Sequence, residues 1–191
     1  DIDPEVSAAR LQPLFDGNVP DSGQLRESIP LKGAEQTREV TEYFQVQQAN
    51  LVLALRTSTG FDDPLHESML VANGVLGQFP HSRLFTQVRE KESLCYSVSS
   101  HNDASSGLML VNAGIDVGSA PRARESILEQ IEVVRQGDFS DEEFEMTLGA
   151  WDSRLRMIQD SPASLAEFDL TSRLCGREPD LDALRGRIAA V

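Results

Sequence analysis

Two side chains near the middle of the chain, Arg89 and Tyr96, have types and a spacing that suit peptide binding. Arg89 lies at the end of a predicted short helix, and Tyr96 lies on the strand predicted to follow it. Because the chain must turn between them, both side chains are able to point into one cleft. A guanidinium offers planar donors to peptide carbonyl groups, and a phenol offers one more donor. The pair is therefore predicted to hold a peptide or to stabilise an oxyanion.

A simpler interpretation of these two residues stays open. Arg89 would form an ion pair with Glu90 or Glu92 at a solvated helix end, and Tyr96 would pack into the core of its own strand. On composition alone, this structural interpretation is favoured. The sequence by itself does not decide between the two.

The three histidines, His66, His81 and His101, do not form a known zinc motif. His66 is followed by Glu67, but a second histidine four residues after the first is missing because position 70 is leucine. No catalytic residue and no metal ligand is therefore assigned. An independent hydrolase with widely spaced catalytic side chains is left as a weak third hypothesis.

The elements that must position Arg89 and Tyr96 follow from hydrophobic periodicity. The apolar run Leu51–Leu55 predicts an interior strand covered on both faces. A helix, a short helix and two strands are predicted next, and the two strands flank a turn at residues 102–107. The supporting patterns are the stripe Leu65, Met69, Ala72 and Leu76, the residues Leu84, Phe85 and Val88, the alternation over 94–100, and the apolar run 108–115.

Five helices are predicted around this core. One lies near the N-terminus with Asp3 as its N-cap, and the others follow Pro121, the capping box Ser140–Glu143, and Ser161, with a last helix from about Asp180. Strands followed by helices predict an α+β fold, in which an antiparallel-rich sheet has helices packed on one face. Residues 18–37, rich in proline and glycine, are predicted to be a linker.

Composition excludes several partners. Among 191 residues, 17 are Lys or Arg and 31 are Asp or Glu, so the formal net charge is −14. This charge repels nucleic acid and anionic lipid, and the longest apolar run is far shorter than the roughly 20 residues of a membrane helix.

Two distant cysteines favour reduced thiols in a cytoplasmic protein. The chain is interpreted as a piece of a longer polypeptide.

Residues 76–100 carry a long and specific pattern, which is Leu76-Gly77, Ser82-Arg83-Leu84-Phe85, Arg89-Glu90-Lys91, Leu94-Cys95-Tyr96 and Ser99-Ser100. This pattern resembles the second, non-zinc half domain of the insulinase-like zinc peptidases, which include pitrilysin and the mitochondrial processing peptidase. It is most similar to the partner proteins in bacterial pairs of zinc peptidase-like proteins. Cys95 departs from the pattern, because alanine or glycine is usual there.

The resemblance implies how the protein works. In this family two half domains close on a peptide, and zinc is bound by His-x-x-Glu-His in the other half. Arg89 would contact a substrate carbonyl or carboxylate and Tyr96 would support the oxyanion, so both are expected to be substrate-binding residues. Residues 1–37 would be the tail of the preceding domain plus the linker, and 38–191 the non-zinc domain, truncated at its C-terminus.

The partners expected from the resemblance are a peptide substrate and a zinc-bearing half, on the same polypeptide or on a separate subunit. No cofactor is expected in this chain. A homodimer of the isolated piece is a further expectation, because the chamber face would be exposed. The alternative function is a catalytically dead scaffold or interaction module of the same fold.

Overall fold

The computed structural model describes residues 3–15 and 35–191. The chain divides into two compact units, Asp1–Pro30 and Leu31–Val191. In the first, helix α1 spans Pro4–Phe15. The Asp3 carboxylate accepts hydrogen bonds from the backbone N–H groups of Glu5 and Val6, which confirms the predicted N-cap. Most of the predicted linker lies outside the described residues.

The second unit contains a three-stranded antiparallel sheet. Its strands are β1 (Gln48–Arg56), β2 (Ser97–Asp103) and β3 (Leu108–Asp116), in the order β1-β3-β2. β3 lies in the middle, and its inward side chains are Met109, Val111, Ala113 and Ile115. This antiparallel sheet, together with the helices that contact its inward face, confirms the predicted α+β fold.

The prediction that β1 is covered on both faces is wrong. Its residues alternate between partial burial and exposure along the whole strand, and Val52 is half exposed. Among the described residues β1 pairs with β3 alone, so it is an edge strand. The apolar side chains of residues 51–55 therefore lie alternately on a partly buried face and on a solvent-exposed face of the strand.

Helices contact the inward face of the sheet. Helix α2 (His66–Asn73) continues into a π-helical turn (Gly74–Gln78), and a second π-helical segment, here called the π helix, spans Leu84–Lys91. Leu65 precedes α2 and is mostly exposed, so its predicted place in the apolar stripe is wrong. A 3₁₀ turn (Val117–Ser119) leads into α3 (Ala120–Gln136). The remaining helices are α4 (Asp141–Gln159), α5 (Pro162–Leu174) and α6 (Leu181–Ala189).

The hydrophobic core has two parts. The first joins the inward face of the sheet to Leu76, the π helix residues Leu84 and Val88, and Ile127 of α3. The second surrounds Trp151 of α4 and joins α2, α4 and α6. The first part holds the π helix rigidly against the sheet, and the π helix carries Arg89.

A buried carboxylate fastens α6 to α2. Glu67 accepts a hydrogen bond from Arg187 Nε at 2.8 Å and lies 3.5 Å from Arg177 Nη1. Burial alone raises the pKa of Glu67, but the hydrogen bond from Arg187 and the charge of Arg177 outweigh it and leave the pKa below the ordinary value of 4.5. The interaction of Glu67 with the two arginines therefore stabilises the fold at pH values above 4.5. This stabilisation is lost as the pH falls through the pKa that Glu67 has in the folded protein.

Glu67→Gln is expected to lower the free energy of unfolding at pH 7 by about 1–3 kcal/mol, because two arginines lose their negatively charged partner. The variant should also lose less stability than the unmodified chain when pH falls below 4.5. Urea unfolding at several pH values measures both effects. Exposed Glu145 provides the control, since Glu145→Gln should leave the curve unchanged. Equal stability of the two variants at pH 7 would contradict this account.

Candidate functional site

The turn between the π helix and β2 brings Arg89 and Tyr96 together. Arg89 lies in the last turn of the π helix, and Ser93 has a positive φ of 53°, which reverses the chain direction. The N–H of Leu94 then bonds back to the carbonyl of Val88 at 3.1 Å. The N–H of Tyr96 donates to Gly114 of β3 at 2.8 Å, which holds Tyr96 directly before β2 and one residue outside the strand on which the sequence predicts it.

The Arg89 side chain is bound to the backbone of Tyr96. Its Nε donates to the Tyr96 carbonyl oxygen at 2.9 Å, and its guanidinium carbon lies 4.4 Å from the centre of the Phe85 ring. Within the described part of the chain, the terminal nitrogens Nη1 and Nη2 have no hydrogen-bond partner and Arg89 forms no ion pair. The guanidinium is thus fixed at one edge and open at the other.

The predicted pairing of Arg89 with Glu90 or Glu92 does not occur. Glu92 instead accepts hydrogen bonds from Arg122 and from the Ser126 hydroxyl, both at 2.9 Å. These contacts join the end of the π helix to α3. They also remove from Arg89 a carboxylate that would otherwise neutralise it.

The Tyr96 ring is half exposed, so the predicted packing of this side chain into the core is wrong as well. Its hydroxyl donates a hydrogen bond to the Asp116 carboxylate at the end of β3. That hydrogen bond, with the loss of solvent and the negative charge of Asp116, raises the pKa of Tyr96. Arg89 and Tyr96 therefore meet at one surface.

That surface is an open cleft of about 530 Å³. It contains one cation and two carboxylates, and its lining residues are Arg89, Glu90, Ser93, Leu94, Cys95, Tyr96 and Asp116. Burial raises the pKa of the Cys95 thiol, and the Arg89 guanidinium opposes that rise. Both Cys95 and Cys175 are free thiols. The cleft thus offers guanidinium donors beside carboxylate and phenol oxygens, a set that matches polar backbone groups of a peptide.

Asp116 is the site residue that sequence reasoning missed. It ends an apolar strand pattern twenty residues after Tyr96. Only the register of the β2–β3 pair, with Ser97 opposite Gly114, places it beside the phenol. The turn predicted at residues 102–107 would pair His101 with Leu108, whereas the structure pairs Asp103 with Leu108, so the register counted from the sequence is two residues out.

The histidines lie in three separate environments. His66 is buried and contacts Phe61, His81 stacks on Phe79 and lies 3.3 Å from Thr147 Oγ1, and His101 is exposed on β2. No group of three or more His, Cys, Asp or Glu side chains that could hold a metal occurs in residues 3–15 and 35–191. The described residues thus do not fit zinc, and no step of the chemistry proposed below passes through zinc held by this chain.

None of the helices in the described ranges is long and apolar enough to cross a membrane.

Comparison with known proteins settles the family. The model of the family described as "Peptidase M16 inactive domain" matches residues 8–149. The chain belongs to this family. The predicted resemblance to the non-zinc half domain of insulinase-like peptidases is thereby confirmed, and this M16 inactive domain is a non-catalytic domain of the zinc protease type.

Curated relatives come from bacteria. The "probable inactive metalloprotease YmfF" of Bacillus subtilis is 35% identical over 133 residues, which cover 70% of this chain and 31% of that protein. The "uncharacterized zinc protease YmxG" of the same organism is 24% identical over 158 residues, covering 81% of this chain and 38% of that protein. The M16 inactive domain described here therefore spans about a third of the length of the curated relatives it matches.

Solved structures share the fold. A conserved protein from Enterococcus faecalis V583 superposes with a TM-score of 0.74 at 28% identity, over all of this chain and 45% of that one. A protease from Helicobacter pylori gives a TM-score of 0.75 over all of this chain and 47% of that one. At 14% identity, the second match shows the fold alone.

Proposed function

We propose that this M16 inactive domain is the substrate-binding half of a zinc metallopeptidase, in which Arg89 and Tyr96 contact the peptide and the oxyanion formed during its cleavage. A zinc-bearing half, on the same polypeptide or on a partner subunit, supplies the metal. Residues 1–37 are the tail of the preceding domain plus a linker, and residues 38–191 are the substrate-binding domain. The observation that supports this proposal is the open Arg89–Tyr96 cleft.

The chemistry of Arg89 suits this role. Its Nε is bound by the Tyr96 carbonyl, which restrains the guanidinium, and its two terminal nitrogens have no hydrogen-bond partner in the described residues. A preorganised cation donates to a substrate carbonyl at a smaller entropic cost than a mobile one. As negative charge develops on that oxygen during peptide cleavage, the same donors bind it more strongly.

The isolated chain is expected to bind far less than one zinc ion per molecule, because its described residues offer no cluster of ligands. Metal analysis by mass spectrometry after dialysis against a weak chelator measures this. The protein reassembled with its zinc-bearing half serves as the control and should retain close to one zinc. Stoichiometric zinc in the isolated chain would contradict the proposed division of labour.

The second candidate function is a catalytically dead scaffold of the same fold. It is favoured by one observation, namely that Arg89 Nε and the Tyr96 hydroxyl both have partners inside the chain. Co-purification with a protein bearing His-x-x-Glu-His, followed by a peptide cleavage assay, separates the two functions. A complex that cuts no peptide, or cuts it equally well without the Arg89 and Tyr96 side chains, supports the scaffold.

A further inference from the structure

The segment that ends the π helix combines two backbone conformations that are unfavourable by themselves. The N–H of Glu92 donates to the carbonyl of Gln87, five residues back, at 3.0 Å, which is the hydrogen bond of a π helix and not of an α-helix. The next residue, Ser93, has a positive φ of 53°, a region that residues other than glycine seldom adopt. Such conformations persist only where their surroundings hold them. The surrounding structure must therefore hold Glu92 and Ser93 in place.

The side chain of Glu92 supplies a contact that does so. One carboxylate oxygen accepts from Arg122 Nη2 and the other accepts from the Ser126 hydroxyl, both at 2.9 Å. Ser126 is fully buried in α3, so its hydroxyl needs an acceptor inside the protein. The two residues between Arg89 and Glu92 are exposed and contribute little to holding this turn. Glu92 therefore ties the last turn of the π helix to α3.

An α-helical arrangement of the same turn competes with the π winding. In it the Glu92 N–H would donate to the carbonyl of Val88, four residues back. That carbonyl now accepts from the N–H of Leu94 at 3.1 Å, so the α-helical winding would have to share or displace that bond. Because the two windings place different numbers of residues in a turn, a change of winding would rotate Arg89 around the helix axis. Its Nε would then leave the Tyr96 carbonyl, to which it donates at 2.9 Å.

We propose that Glu92 is a positioning residue, which holds the last turn of the π helix in its π winding by binding Arg122 and Ser126 and thereby fixes the direction of Arg89. A carboxylate suits this task, because hydrogen bonds to a charged group are stronger than neutral ones. Glu92 is not among the residues that line the cleft, so it acts through Arg89 and not on the peptide. This inference rests on the proposed function, in which the direction of Arg89 matters.

The positioning role is testable in the isolated chain by NMR of the arginine Nε–H groups. The Arg89 Nε–H is bonded to the Tyr96 carbonyl, so it should exchange slowly with water, and Arg89→Lys identifies its signal. Glu92→Ala should accelerate that exchange about threefold to tenfold, the loss of one hydrogen bond. Glu125→Ala is the matched control, since it removes from Arg122 another carboxylate, at 2.8 Å, that lies on α3 itself. In this control the Arg89 exchange rate should be unchanged.

An unchanged Arg89 exchange rate in Glu92→Ala, or an equal acceleration in Glu125→Ala, would overturn the positioning role of Glu92. Glu92→Gln repeats the measurement with a neutral side chain of the same size, in case the alanine variant folds poorly because Ser126 loses its acceptor. A smaller acceleration is expected there, since the amide keeps one acceptor oxygen. These measurements need no zinc half and no peptide, so their failure is distinct from failure of the proposed function.

The coupling of Glu92 to Arg89 is testable in the reassembled peptidase by a double-mutant cycle. Glu92→Ala should lower kcat/KM about threefold to tenfold, mainly through kcat, since the Arg89 contact strengthens as the oxyanion forms. In the Arg89→Ala background this loss should vanish, because the side chain to be positioned is absent. Two losses that add would overturn the proposal and leave Glu92 a role in stability alone. No loss in Arg89→Ala itself would contradict the proposed function, while the exchange rates would still decide whether Glu92 positions Arg89.

Discussion

Replacing Arg89 by alanine in the reassembled peptidase is expected to lower kcat/KM about tenfold to a thousandfold, the usual cost of removing one preorganised transition-state donor. The side chain is held by the Tyr96 carbonyl at 2.9 Å and by the Phe85 ring, so its terminal nitrogens are placed before the substrate arrives. Steady-state cleavage of a fluorogenic peptide measures the effect. Most of the loss should fall on kcat, because the contact strengthens as the oxyanion forms.

Arg124 offers a matched control, since it is an exposed arginine on α3, away from the cleft lining. Arg124→Ala should leave kcat/KM unchanged. Arg89→Lys keeps the charge, but an ammonium cannot bind the Tyr96 carbonyl and a substrate oxygen with the fixed fork of a guanidinium, so partial activity is expected. Full activity of Arg89→Ala would return Arg89 to a structural role and favour the scaffold function.

Gly77→Ala is expected to lower the free energy of unfolding by about 1–3 kcal/mol, because a methyl group is forced into a filled space. A Cβ at this position would lie 2.7 Å from Leu84 Cδ1, 2.7 Å from Ser100 Oγ and 2.8 Å from the backbone nitrogen of Ser100. The backbone of β2 cannot yield as a flexible side chain would. Urea unfolding followed by circular dichroism measures the change.

Gly149 gives the matching control within α4, where an added Cβ meets no atom within 4 Å. Gly149→Ala should raise stability by up to about 1 kcal/mol, the difference in helix propensity between the two residues. The two variants make the same chemical change with opposite expected signs. A Gly77→Ala variant as stable as the unmodified chain would show that β2 and the π-helical turn are not packed as closely as described.

Elements with local signals could be predicted from the sequence. The α4 capping box is present, with the Ser140 hydroxyl accepting from the N–H of Glu143 and the Glu143 carboxylate accepting from the N–H of Ser140. The helix predicted after Pro121 is present as α3, and two residues four positions apart on it, Ala123 and Ile127, are fully buried. Capping and helical periodicity depend on residues three or four apart, so they are visible without any tertiary information.

Features that depend on distant contacts could not be predicted in the same way. The run Leu51–Leu55 looks alike whether one or both faces are covered, and only the pairing with β3 shows that Val52 lies on the open face. The π winding of Leu84–Lys91 has no distinct sequence period, although it sets where Arg89 points. Asp116 depends on the β2–β3 register, and a slip of one residue would turn it to the other face.

The edge position of β1 has a consequence for the exchange of backbone amide protons with deuterium. Among the described residues, β1 is bonded on one side only, whereas β3 is bonded on both sides. Amides of β3 should therefore exchange slowly along the whole strand, while in β1 slow and fast amides should alternate with a period of two residues. Such an alternation would mark the outer side of β1 as open to solvent, and uniform protection would show that another strand lies against it.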